Sequence, residues 1–254
     1  MNLLISSALE RNQKRQKEKL QCIGASDSFK THPPHGGMDG GCVGINGVLE
    51  KDINLAIVLN LQQLLEFSGF NVVLTRSDDR SMHTEGVEGI RNQKVSDMNN
   101  RKLIVDSYPD SLFFSIHQNQ FTDPQYFGAQ MFFTNVHDDN KKLAQIFQES
   151  FAEIQPGNDR EIKLIDNNLF LFKSAVQPAV LVECGFLSNP NDVEKLSNPD
   201  YQKKVAFAIY KGIIRYLSND AGSHDIIPDN EIQIALYGEA FEILDDSKGG
   251  LLMQ

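Results

Sequence analysis

The sequence predicts an α/β fold: a single domain whose mostly parallel, twisted sheet is flanked by helices. Three observations lead there. Short apolar, β-rich runs alternate with longer stretches of helical periodicity. The best-defined stretch, Val180-Leu181-Val182-Glu183-Cys184-Gly185-Phe186-Leu187-Ser188-Asn189, is an apolar run with one carboxylate toward its C-terminal end. A turn follows, and Pro190 can open a helix. Finally, 254 residues at 41% hydrophobic and 23% charged suit one domain with a sizeable core.

Charge and cysteine usage narrow the classes. A net charge of -10 and a pI of about 5.1 argue against a nucleic-acid partner, which needs a basic face. Cys22, Cys42 and Cys184 are odd in number and lack CxxC spacing, so they supply neither a disulfide framework nor a thiolate metal site. No run approaches the ~18 apolar residues of a membrane span. Met1 to Leu9 is apolar but short, and dense charge follows from Arg11 to Lys19. That is not the order of a secretory signal, and no export signal is read.

Taken in order, residues 1–32 form a poorly patterned N-terminal segment. Leu9 to Leu20 has no apolar face wide enough to dock a helix, and Cys22 to Lys30 shows no convincing strand. His35-Gly36-Gly37-Met38-Asp39-Gly40-Gly41 is a glycine-dense loop. From Glu50 to Phe67, Ile53, Ala56, Ile57, Leu61, Leu64 and Leu65 recur at helical spacing. Asn71 to Thr75 reads as a strand, Ser77 to Gly89 as an exposed loop, and Arg91 to Asp106 as a helix through Val95, Met98, Leu103 and Ile104. Leu112 to Ile116 is a buried strand ending in His117-Gln118-Asn119, and Gly128 to Thr134 is another. Lys141 to Ile154 is a helix, Asn168 to Phe172 a strand or extended segment, and Asp200 to Leu217 the last strong helix. Residues 219–254 are a tail of unknown order.

Three of these features form a set. His35 opens the glycine-rich loop, Glu50 lies fifteen residues on in a helix's first turn, and His117 follows a buried strand. Two imidazoles and a carboxylate leave an open fourth position on zinc, the ligand set of several catalytic zinc hydrolases. Singly, each has a plainer reading: Glu50 favoured by its helix dipole, His117 as a hydrogen-bonded surface residue. Glu183 is either a base at the edge where open α/β sheets place their chemistry or a surface residue capping a strand.

The segments His35-Gly36-Gly37-x-Asp39-x-Gly41, Leu49-Glu50-Lys51-Asp52, Leu74-Thr75-Arg76, Ser115-Ile116-His117-x-Asn119 and Glu183-x-Gly185-Phe186-Leu187-Ser188-Asn189 together resemble the zinc-dependent N-acetylmuramoyl-L-alanine amidases (amidase type 3), in the same order. The resemblance covers residues 33–218, taken as the catalytic domain. Arg91 to Arg101, His117-Gln118-Asn119 and Gly128-Ala129-Gln130 look closest to the germination-specific group of spore formers. It implies that His35, Glu50 and His117 bind one zinc ion and that Glu183 is the catalytic glutamate. For Asn119, Leu187, Ser188 and Asn189 two readings stand side by side, substrate contacts or structural support of the site. The implied reaction cleaves the bond between the lactyl group of N-acetylmuramic acid and L-alanine in cortex peptidoglycan, a step toward muramic-δ-lactam. An extracytoplasmic location and, as in clostridial members, a lipoprotein partner are implied as well.

The sequence departs from the family before His35. Pro33 and Pro34 cannot pair within a central strand, and the upstream residues lack apolar alternation. The expected first strand is therefore missing from this reading, which leaves an exposed sheet edge and an unfixed His35. That gap sustains a second reading, a catalytically impaired cell-wall-binding homologue. A zinc peptidase on another fold is a third, and the Glu183 to Asn189 stretch speaks against it.

Overall fold

The computed structural model describes residues 28–32, 34–165 and 169–220. The Leu9 to Leu20 segment, Cys22 and the tail from residue 221 onward lie outside the described residues. The elements run β1 (Ser28–His32), α1 (Glu50–Phe67), β2 (Asn71–Leu74), α2 (Ile90–Asp106), β3 (Leu112–Asn119), β4 (Gln130–Phe133), α3 (Asn140–Ile154), β5 (Lys163–Leu164), β6 (Ala179–Phe186), α4 (Pro190–Leu196) and α5 (Pro199–Asp220). They build one six-stranded sheet in the order β2-β1-β3-β6-β4-β5. Pairing is parallel from β2 through β6, and β4 joins β6 antiparallel. The α/β class with a mostly parallel sheet is as the alternation of elements required.

The first strand is present, which corrects the sequence reading. Ser28–His32 lies between β2 and β3, with Lys30 opposite Val73 on one side and Phe113 on the other. Two physical points explain the miss. A ladder between parallel neighbours is made by main-chain groups, so it forms without apolar alternation. Pro33 and Pro34 come after the last paired residue, where a missing N–H removes no ladder bond. The sheet thus begins N-terminal to the boundary expected at residue 33.

Successive strand residues face opposite sides, and the two sides are covered differently. Phe114, Ile116, Val180 and Val182 face the main core, with apolar residues of α1, α3 and α5. Phe114 stacks on Phe147 with ring centroids 5.2 Å apart. Phe113 and Leu181 face the other way, in a smaller cluster with Val105 of α2 and Leu171, Phe172 and Ala175. This second cover stops short. Beyond it Ser115, His117 and Glu183, on the same face, line a cavity.

Two local readings change. Of the segment Asn168 to Phe172, Asn168 lies outside the described residues and 169–172 are no strand: Phe172 N–H and Lys173 N–H both donate to the Leu169 carbonyl, which makes a turn that buries Leu171 and Phe172. The helix over Arg91 to Asp106 forms, yet Val95 and Leu103 are exposed, and its buried side chains are Arg101 and Val105.

Lys30→Pro tests β1 directly. In a strand paired on both sides it removes a ladder donor and leaves a buried acceptor unpaired, at a cost of about 1–3 kcal/mol before any steric clash. Cooperative thermal unfolding should be lost or strongly lowered, whereas a neutral effect would mean that this segment lies outside the sheet.

Candidate active site

Glu50 sits at the centre. Helix α1 starts directly after the glycine-rich loop, whose carbonyls at Cys42 and Gly40 accept the N–H groups of Glu50 and Lys51. The Glu50 side chain caps none of its own helix amides. It is 2% exposed, and its Oε1 accepts from Asn54 Nδ2 at 3.2 Å and from Gln118 N–H at 3.2 Å. His117 Nδ1 lies 3.0 Å from the same oxygen. Oε2 accepts from Cys42 N–H at 2.8 Å and lies 3.4 Å from His35 Nε2. Burial opposes the charged form of Glu50, but His117, His35 and the Cys42 amide outweigh it and push its pKa down to about 2. The thiol of Cys42, desolvated and beside this carboxylate, is pushed up to about 12 and is chemically quiet.

His35 is delivered by a strained loop. Its φ is 62°, which residues with a side chain rarely adopt. Asp39 Oδ2 lies 3.0 Å from His35 Nδ1 and fixes the ring so that Nε2 faces Glu50. Gly41, at φ 68°, allows the approach: a Cβ there would sit 2.6 Å from Glu50 Oε2 and 2.7 Å from the His35 ring. Two buried arginines hold the loop from below. Arg101 donates to the His35 carbonyl at 2.8 Å and to Thr75 Oγ1 at 3.1 Å, and pairs with Asp97 at 2.6 Å. Arg76 donates to the carbonyls of Pro34 at 3.2 Å and Lys51 at 2.8 Å. Above, Lys51 Nζ bridges the Gly37 carbonyl and Asp79 at 2.8 and 2.7 Å.

His35, Glu50 and His117 therefore converge, with one donor atom from each lying within 4.8 Å of the others. Glu183 joins them. It pairs in register with His117 across β3 and β6, and both side chains line the same cavity of about 340 Å³. It is not at the strand's end, as read from the sequence. β6 runs on to Phe186: pairing with β4 ends at Glu183, but Phe186 still lies opposite Asn119 of β3. One Glu183 oxygen, Oε2, is buried with no hydrogen-bond partner in the structure. Burial, with the Glu50 charge nearby, pushes its pKa up to about 8.

The other four expected site residues lie elsewhere. Leu187 is fully buried in the main core, and its N–H donates to the Asn119 carbonyl at 2.8 Å. Ser188 Oγ accepts the Phe121 N–H at 3.1 Å. Asn189 caps α4 by accepting from Asn191 and Asp192. None of them, nor Asn119, is among the residues lining the cavity. What the sequence reading missed is the clamp on His35. Arg76 and Asp97 lay within quoted motifs, but their charges gave no sign of burial.

Comparison with known proteins agrees with this arrangement. A match to the family of N-acetylmuramoyl-L-alanine amidases, Amidase_3, spans residues 32–215. The chain belongs to this amidase family. It is 36% identical over 186 residues to the germination-specific N-acetylmuramoyl-L-alanine amidase of Bacillus subtilis, covering 73% of this chain and 78% of the relative. Among solved structures, it resembles the CwlD amidase of Clostridioides difficile, determined in complex with the GerS lipoprotein. The TM-score there is 0.73 at 40% identity, covering 76% of this chain and 98% of that one. The catalytic domain of the amidase CwlV from Bacillus (Paenibacillus) polymyxa gives a TM-score of 0.63 at 30% identity, covering 75% and 98%. The protein is thus an amide hydrolase of peptidoglycan, and among the described residues no helix is long and apolar enough to cross a membrane.

Two outcomes check the site. A carboxyl with a raised folded pKa favours the protonated form, so its penalty is absent near pH 4 and grows as pH climbs toward about 8. In metal-free protein, Glu183→Gln should raise Tm by several degrees at pH 8 and barely move it at pH 4, read by thermal unfolding with a chelator. Gly41→Ala should weaken metal affinity at least tenfold, about the size of an outer-shell defect, in a competition titration.

Proposed function

We propose that this amidase is a zinc enzyme in which His35, Glu50 and His117 hold the metal and Glu183 is the general base and acid. The observation that carries the reading is the clustering of His35, Glu50 and His117 donor atoms within 4.8 Å of one another, beside a cavity that His35, His117 and Glu183 line, with one Glu183 oxygen left without a partner. The donor set fits zinc: two imidazoles and a carboxylate, one imidazole braced by Asp39, with the glycine at position 41 leaving room where a Cβ would collide. Bound there, zinc supplies Lewis acidity to the lactyl carbonyl of N-acetylmuramic acid and to the attacking water.

The protein's own part follows from its groups. Glu183 takes a proton from water as the oxygen attacks the carbonyl carbon. It then delivers that proton to the alanine nitrogen as the carbon–nitrogen bond breaks. A carboxylate pushed up to about 8 is a stronger base than an exposed one, and its partnerless oxygen is ready to accept a proton. Glu50 stays ionised throughout, being held near about 2.

The relatives' names support a narrower setting: spore cortex, where removal of the stem peptide leads toward muramic-δ-lactam, with a lipoprotein as partner. An enzyme with that substrate works outside the cytoplasmic membrane. The reading as an impaired wall-binding homologue drew on a missing first strand, and β1 removes that ground.

Purified protein is expected to carry about one zinc per chain and to release stem peptides from peptidoglycan. Glu183→Gln should keep its zinc and lose release by roughly 10²–10⁴-fold. His117→Ala should lose both. Folded wild-type protein with neither zinc nor release would sink the proposal.

A further inference from the structure

The Leu187-Ser188-Asn189 turn stands away from the cavity, and its hydrogen bonds show what it holds instead. Ser188 Oγ accepts the Phe121 N–H, and Asn189 Nδ2 donates to the Pro124 carbonyl at 2.8 Å. Gln120 Nε2 donates to the Val43 carbonyl at 3.1 Å, and Arg160 Nε to the Phe127 carbonyl at 2.7 Å. The loop after β3 is thus fastened at four places. Yet it presents Phe121, Tyr126 and Phe127 at 52%, 40% and 45% exposure. The Phe121 and Tyr126 rings stand perpendicular with centroids 5.0 Å apart. The Arg160 guanidinium lies over Tyr126 at 5.6 Å and over Phe186 at 4.5 Å. Three aromatic rings fixed in solvent form a prepared surface, because a loop free to move would turn them inward.

Its position says what it meets. Phe121 lies four residues beyond His117 on the same chain direction as β3. The loop is bonded to Val43, the neighbour of Cys42, whose N–H donates to Glu50. The loop is therefore tied to the segment that carries Cys42, one hydrogen bond from Glu50, while its three rings lie outside the cavity itself. A cavity of about 340 Å³ accommodates the reacting lactyl-peptide junction but not the polymer attached to it, so the rest of the substrate must cross the rim. The Phe121 and Phe127 faces are uncharged and aromatic, suited to the C–H faces of neutral sugar rings, while the Arg160 guanidinium lies over Tyr126.

We propose that Phe121, Tyr126 and Phe127 form a sugar-stacking platform that binds the N-acetylated glycan strand beside the scissile bond, with Ser188, Asn189 and Arg160 as its positioning residues. The proposal rests on the peptidoglycan reading of the site and adds a glycan subsite to it. The platform makes the enzyme prefer long glycan strands over an isolated muramoyl-peptide.

The test uses full-length protein and the variants Phe121→Ala, Tyr126→Ala and Phe127→Ala, all at exposed positions. The ratio of kcat/KM on polymeric glycan-linked substrate to that on a single-sugar muramoyl-peptide is expected to fall about tenfold in at least two of them. Affinity for a soluble N-acetylglucosamine tetramer, titrated calorimetrically, should fall in parallel. Unchanged preference together with unchanged tetramer affinity overturns the platform, as does a wild type that binds no tetramer. Wild-type protein that binds the tetramer but cleaves neither substrate supports the platform and faults the hydrolase mechanism, so the two failures are told apart.

Discussion

Everything at this site depends on keeping one carboxylate charged in a place where water cannot reach it. Isolated, a buried Glu50 would take up a proton, because desolvation of an ionised carboxylate is far more costly than its neutral form. The fold prevents this by aiming donors at both oxygens. Asn54 comes from the same helix one turn on, Gln118 and His117 from β3, and Cys42 from the loop. The arrangement joins three distant segments of chain at one point. Oε1 shares three of these partners, whereas Oε2 accepts only the Cys42 N–H and faces His35, so an unsatisfied buried acceptor is nearest at Oε2.

The second constraint is conformational. His35 reaches Glu50 only with a positive φ, and the loop keeps that shape because its carbonyls are occupied by the guanidinium groups of Arg76 and Arg101. Arg101 in turn needs Asp97 one turn earlier on α2, and Asp97 also accepts the Met82 N–H at 2.6 Å. One acid thus ties the exposed loop before α2 to the backbone position of His35. Strain of this kind persists where surrounding contacts over-determine it.

How far the sequence was legible follows from this. Helix α1 declared itself through a clean apolar face, and the residues at positions 35, 50, 117 and 183 that converge were marked by chemistry that stands out in an apolar or glycine-rich context. β1 did not, since its pairing is a main-chain property set by the strands beside it, with no side-chain pattern to announce it. Glu183 was placed at a strand's end because the apolar run breaks there, although pairing with β3 carries the strand on to Phe186. Arg101 was invisible for a different reason. A charged residue on a polar helix reads as solvated, and only the three-dimensional approach of the His35 carbonyl shows it to be 1% exposed. The serine and asparagine after β6 were read as substrate contacts or structural support, and their bonds go to the aromatic loop and to α4.

The two glutamates then divide the chemistry between them. They share one sheet edge and the same charge, yet their environments drive them apart, Glu50 toward about 2 and Glu183 toward about 8. Burial raises both, but His117, His35 and the Cys42 amide outweigh it at Glu50, whereas at Glu183 the Glu50 charge adds to it and one oxygen has no partner. A group stabilised in its charged form serves as a ligand, and a group denied that stabilisation holds a proton more tightly. A cation held by His35, Glu50 and His117 would lower the proton affinity of Glu183 and so favour the ionised form that a general base needs.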